Sequence, residues 1–350
     1  MNILIEIGHP AHVHMFKNFI LSNKEHKILV TARDRKYVSE LLDYHNIDYI
    51  TVGKHKTSLY GKIFTLYHYN KELYRIAKNF NPHIFLSHGS IYAAHISCLL
   101  DKTHISFEDT EHSTEQILLY APFTDIILTS KFFLLDFGKK QIKYDSFHEA
   151  FYLHPDYFTP DESVLEDLEI QTNQKIVVLR FISMNASHDI LSSGFSSSAK
   201  KYLIEKMSKN CKVFVISDED VGEDLKPFVP EIDPGKFHSL LYYADLCVSD
   251  SSTCAVESSI LGTPTVHYEK MGDGVLVTEK LGYLDHLSKD YGIFHTFTSQ
   301  KKAIKLAMKF LSNEDLKKKN RKICNQIFND KIDGNKLILE TINNLNSPIH

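Results

Sequence analysis

Neither G-x-G-x-x-G nor G-x-x-x-x-G-K-[ST] occurs anywhere in the 350 residues, which counts against a standard dinucleotide-binding or P-loop enzyme. No apolar run approaches the roughly 18 residues that span a bilayer. Glu6 and His9 interrupt the apolar opening before it reaches signal-peptide length. No C-x-x-C pair exists. The five cysteines, Cys98, Cys211, Cys247, Cys254 and Cys324, are odd in number and scattered, and four lie in apolar surroundings. They read as reduced thiols filling the cores of a cytosolic protein. No H-E-x-x-H or similarly spaced set is present, so no obligatory metal is expected; His12 and His14 would need ligand partners that the sequence does not identify. Forty basic residues against 44 acidic ones leave a formal charge of −4, with no nucleic-acid footprint. The expectation is a soluble cytoplasmic protein, at most at the inner face of the membrane.

What is present is an alternation. Short apolar runs at 2–7, 27–31, 47–52, 83–87, 103–107 and 125–129 are separated by amphipathic stretches such as 34–45, 62–80 and 90–100. A second series starts at "KIVVLRF" (175–181) and continues at 211–217, 244–250 and 263–268. Strands that alternate with helices imply parallel sheets covered on both faces, hence an α/β protein with two doubly wound domains and a ligand cleft at the strand ends. The first domain is expected over 1–154 and the second over 174–330. The acidic, Pro-containing segment 155–173 reads as a linker, and the Lys- and Leu/Ile-rich tail 331–350 as a helix packing back on the first domain.

Twenty histidines are many for this length, and three sit in one turn. "IEIGHPAHVHMF" ends a strand at Gly8 and starts a helix at Pro10, so His9, His12 and His14 lie at a strand-to-helix turn. His12 and His14 point about 160–200° apart on a helix, and His12, nearer its start, is the one expected to carry chemistry. "SHGS" ends another strand and offers His88 and Gly89. "SFEDTEHSTEQ" concentrates acidic groups at a strand end, with Asp109 and Glu111 as candidate general bases. In the second series, Arg180 and His188 of "LRFISMNASHD" are candidates for a diphosphate. The turn Ser251, Ser252, Thr253 opens a helix over 253–261, a place that favours a phosphate. Glu257, one turn on, is placed to accept the hydroxyls of a ribose.

The segment "DSSTCAVESSILGTP" resembles the nucleotide-binding segment of GT-B-fold enzymes, the UDP-sugar glycosyltransferases and UDP-N-acetylglucosamine 2-epimerase. That resemblance implies phosphate binding by Ser251, Ser252 and Thr253, ribose binding by Glu257, and two Rossmann-like domains facing across a cleft. Ser252 and Thr253 stand where the epimerases carry paired glycines. "IGHPAHVHMFKN", "SFEDTEHS", "YDSFHEAFYLHPDYFTP", "LRFISMNASHD" and "LGTP" together resemble a bacterial and archaeal GT-B-like family of unknown function, DUF354, over residues 1 to about 330. The resemblance implies a metal-independent glycosyltransferase using a nucleotide-diphosphate sugar, most simply a UDP-sugar, in surface polysaccharide or glycoconjugate synthesis. The sugar, glycan or lipid-linked acceptor would meet the turns of Gly8, His9, Pro10, His14, His88 and Gly89, and His12, Asp109 or Glu111 would take its proton. The alternatives are a UDP-sugar 2-epimerase, whose first-turn arginine is absent here, and a non-catalytic nucleotide-sugar binder.

Overall fold

A computed structural model describes residues 1–54, 59–182, 193–217 and 221–346. The chain divides into two compact units, Met1–Tyr152 with Ile332–His350, and Leu153–Lys331.

The first unit holds β1 (Asn2–Ile7), α1 (Pro10–Ser22), β2 (Lys27–Asp34), α2 (Lys36–Tyr44), β3 (Tyr49–Lys54), α3 (Leu59–Phe80), β4 (Ile84–His88), α4 (Ile91–Leu99), β5 (Thr103–Glu108), α5 (Thr114–Tyr120), β6 (Ile126–Ser130) and β7 (Gln141–Tyr144). The sheet order is β3-β2-β1-β4-β5-β6-β7, and every pairing is parallel. Its strands read as near-continuous apolar runs because both faces are covered; Ile3, Leu4, Ile5 and Ile7 are all fully buried. β7 escapes the sequence pattern because it is an edge strand with Ile142 and Lys143 exposed.

The second unit begins within α6 (Ala150–Leu153) and continues with α7 (Ser163–Asp167), β8 (Lys175–Phe181), α8 (Ser197–Met207), β9 (Cys211–Ser217), α9 (Phe237–Tyr243), β10 (Leu246–Ser249), α10 (Ser252–Ile260), β11 (Thr265–Tyr268), α11 (Gly282–Lys289), β12 (Thr296–Phe297), α12 (Gln300–Leu311) and α13 (Leu316–Asp330). Its parallel sheet runs β12-β11-β10-β8-β9 around a core of Val177, Leu179, Val215, Val248 and Val266. The two-residue β12 is too short to show as a pattern. Four of the five cysteines are buried thiols and Cys98 is exposed.

One expected boundary needs correction. Residues 155–173 are not a linker but part of the second unit. Val164 in α7 and Leu168, which caps its end, are buried. Two of the acidic groups around them share one lysine: Lys236 bonds Asp167 at 2.5 Å and lies 4.0 Å from Asp161. Composition suggested a linker because those carboxylates have partners distant in sequence. The return to the first unit falls at Ile332, whose N–H donates to the Asp145 carbonyl at 3.1 Å. From there α14 (Gly334–Asn346) packs Gly334 against the ring of Phe151, and buries Ile338 and Ile342. No helix among the described residues is long and apolar enough to cross a membrane.

Candidate functional site

In a doubly wound sheet, ligands bind outside the carboxyl ends of the strands where the strand order reverses. In the first unit that point lies between β1 and β4, and the turns after them carry the histidines. His9 caps α1, its Nδ1 accepting the Ala11 N–H at 3.2 Å, with Pro10 in the first turn. Gly8 lies close under Arg33: a Cβ there would come within 2.9 Å of the guanidinium carbon and would have to push that side chain aside. Arg33 is itself held by the buried Glu6 at 3.3 Å. His12 stacks on His88, ring centroids 4.7 Å apart, which joins the β1 turn to the β4 turn. His14 points the other way, buried and stacked on Tyr152 at 5.4 Å, so it is a packing residue rather than a cleft residue. Gly89, at φ +52°, lets the chain turn back so that its N–H reaches Ser106 Oγ at 2.9 Å.

Asp109, just past β5, gathers the group. Its Oδ1 lies 3.2 Å from His88 Nε2 and its Oδ2 2.9 Å from His148 Nδ1, and Thr110 Oγ1 donates to Oδ1 at 2.8 Å. Burial would raise the Asp109 carboxyl, but the imidazoles of His148 and His88 outweigh it and hold it well below its usual range. Burial also works against a charged His88, yet Asp109 and Glu108 win and its pKa is raised. His12 is held well below the ordinary imidazole value by burial first, then by His88, His9 and Arg33. The Gly8 N–H faces His12 Nδ1 at a long 3.4 Å, which leaves the proton of a neutral His12 on Nε2. Beneath them Glu108 is buried and raised by desolvation, and it accepts the Tyr120 hydroxyl at 2.6 Å. Glu111 stands apart from this group: it is buried, and its Oε1 accepts the Leu134 N–H at 3.2 Å, which makes it a loop anchor rather than the expected base.

The cluster changes the expectation about metals, because His88, Asp109 and His148 each offer a ligand atom within 4.8 Å of the others. His148 was the residue that sequence reasoning missed. It lies inside the stretch "YDSFHEAFYLHPDYFTP", 39 residues after Asp109, and nothing along the chain signals that the two meet.

In the second unit the order reverses between β8 and β10. Arg180 ends β8 and donates from Nη1 to the Phe181 carbonyl at 2.9 Å. Ser251 caps α10, its Oγ accepting the Cys254 N–H at 3.4 Å. The half-exposed Ser252 and Thr253 thus supply the first amides of the helix, which have no carbonyl a turn earlier to bond. Glu257 is buried, with Oε1 3.0 Å from His238 Nε2. His188 lies outside the described residues. Asp250, also missed, is buried; its Oδ1 accepts the Ile182 N–H at 2.7 Å and its Oδ2 the Phe195 N–H at 3.3 Å. Burial raises its pKa to about 6 against the pull of those amides, Lys200 and Arg180.

A family model described as "Protein of unknown function (DUF354)" matches residues 1–343. An uncharacterised protein of Methanocaldococcus jannaschii is 26% identical over 285 residues, which cover 76% of this chain and 81% of that one. Among solved structures, UDP-GlcNAc 2-epimerase from Neisseria meningitidis, bound to UDP-GlcNAc, superposes with a TM-score of 0.71 at 13% identity, covering 98% of this chain and 99% of its own. The spinosyn forosaminyltransferase SpnP superposes at 0.65 and 13% identity, covering 99% and 100%. At such identities the likeness shows the fold: it is the GT-B fold shared by these epimerases and glycosyltransferases.

Proposed function

The chain belongs to the DUF354 family, and from that premise we propose that it is a GT-B enzyme that transfers a sugar from a nucleotide-diphosphate donor, a UDP-sugar, to a hydroxyl of a sugar, glycan or lipid-linked acceptor. The observation that carries this reading is that each unit assembles its polar group at the switch point of its own sheet. On the second unit, the amides and hydroxyls of Ser252 and Thr253 take the diphosphate, with Arg180 beside them. His238 fixes the Glu257 carboxylate for the ribose hydroxyls.

On the first unit, His12 is neutral with its proton on Nε2, so it donates a hydrogen bond to a substrate oxygen. The acceptor's proton passes to the His88–Asp109–His148 group. Asp109 alone is too acidic to serve as the base, and Glu111 is committed to Leu134.

One observation favours a second reading, a UDP-sugar 2-epimerase. Glu108, raised by burial, adjoins the His88–Asp109–His148 group at the end of β5, which puts an acid and a relay for a base at one strand end. Incubation with UDP-N-acetylglucosamine alone separates the two. A transferase leaves the sugar's configuration unchanged until an acceptor is added, whereas an epimerase interconverts it unaided. Thermal shifts with UDP, GDP, CDP and their sugars test the donor, and no shift with any of them would remove the nucleotide reading.

A further inference from the structure

We propose that His88, Asp109 and His148 form a binding site for one divalent transition-metal ion, with Zn²⁺ the ion their donors suit best. Two imidazoles and one carboxylate are ligands that Zn²⁺ takes readily, and three protein ligands leave a coordination position open, as in a reactive rather than a purely structural site. The three residues come from separate places in the first unit: the end of β4, the residue after β5, and the turn before α6. Their donors nonetheless converge within 4.8 Å of one another.

The two pair distances are informative. His88 Nε2 stands 3.2 Å from Asp109 Oδ1 and His148 Nδ1 2.9 Å from Oδ2, the spacing of His–Asp hydrogen bonds, and bonds of about 2.1 Å to a Zn²⁺ ion would draw the converging donors to about 2.9–3.4 Å of one another. The carboxylate is already aimed by a bond outside the ligand set, from Thr110 Oγ1 at 2.8 Å. The His148 ring is fixed in a dry wall by Phe107 and Phe151, with centroids at 5.6 and 5.8 Å. Its Nε2 is buried with no hydrogen-bond partner among the described residues. A simple ion pair needs one histidine for one carboxylate; here two rigidly held imidazoles address separate oxygens of the same carboxylate.

Metal binding is tested without any assay of transfer, while a role for the ion in making the acceptor hydroxyl more acidic, its proton leaving to solvent, rests on the function proposed above. The full chain is treated with a chelator, dialysed and titrated with Zn²⁺ by calorimetry, and with Co²⁺ by visible absorption. One equivalent should bind, with Co²⁺ giving the intense d–d bands of a low-coordinate site. Asp109→Asn and His148→Gln should each weaken binding at least roughly tenfold, whereas His95→Ala, on α4, should leave it unchanged. Circular dichroism melts establish that the variants are folded, and the wild-type stoichiometry decides alone if they are not. Absence of one-to-one binding, or binding that persists undiminished in folded Asp109→Asn and His148→Gln, overturns the proposal and leaves a hydrogen-bonded His–Asp–His relay. Stoichiometric metal without sugar transfer would sink only the proposed function; transfer by metal-free protein that binds no Zn²⁺ would sink only this site.

Discussion

At the scale of single residues, Asp250 shows how a buried charge is tolerated. Its carboxylate accepts amides from both sides of the segment 183–192, yet burial still lifts its pKa from 3.8 to about 6. A raised folded-state value means that its contribution is fully favourable below the unfolded value and is lost as the pH rises through about 6. The displacement corresponds to about 3 kcal/mol. Asp250→Asn should therefore gain on the wild type by up to that amount between about pH 4 and pH 8, offset by about 1 kcal/mol for the Phe195 bond that the amide makes less well. Urea denaturation at the two pH values checks it, and a pH-independent difference would mean that Asp250 is not desolvated as described. His12 gives the second prediction. As an Nε2–H donor it should be replaced by Gln with most turnover retained, while Ala loses roughly three- to tenfold for one hydrogen bond. Steady-state rates decide, and a Gln variant as inactive as Ala would make His12 a proton acceptor instead.

Elements in this protein are joined by contacts that their own sequences do not announce. α14 returns to the first unit because Gly334 has no side chain: a Cβ there would come within 2.1 Å of the Phe151 ring, itself fully buried. Phe151 is anchored in turn, its carbonyl accepting from Asn18 of α1 at 3.1 Å and Asn335 of α14 at 3.3 Å. Gly334→Ala should then cost about 1–3 kcal/mol through overpacking, although alanine is the better helix former. The denaturant midpoint reads this directly. A neutral or stabilising substitution would show that α14 shifts freely on its neighbour. α7 makes the same point from the opposite side, since Asp167 looks solvated in sequence and is held by Lys236 in the fold.

For the whole molecule, the chain builds two parallel sheets of different winding. The first has the order 3-2-1-4-5-6-7; the second, counted from β8, has 5-4-3-1-2. Each has one reversal of strand order, and each reversal carries a polar group that a structural core would avoid: His12, His88 and Asp109 in one, Arg180, Asp250 and the start of α10 in the other. The chain passes from the first unit to the second after Tyr152 and returns after Lys331, so the first unit is completed only by the last helix.

The sequence by itself determined most of the strands and the turns after them. A buried parallel strand must be apolar along its length, and a turn that meets a ligand must carry glycine, hydroxyls or imidazole, so both leave a local signature. It placed Gly8, His12, His88, Asp109 and the 251–253 turn at strand ends, where they lie. The edge strand β7 left no such trace, because it is four residues long with Ile142 and Lys143 exposed. Only the tertiary structure decided which side chains meet. Asp109 finds His148 across 39 residues, Glu257 finds His238 on a neighbouring helix, and Glu111 is drawn off to Leu134. The physical reason is that these pairings follow from the lateral order of strands, with β4 placed between β1 and β5. That order is set by how whole faces bury one another rather than by any short stretch of residues.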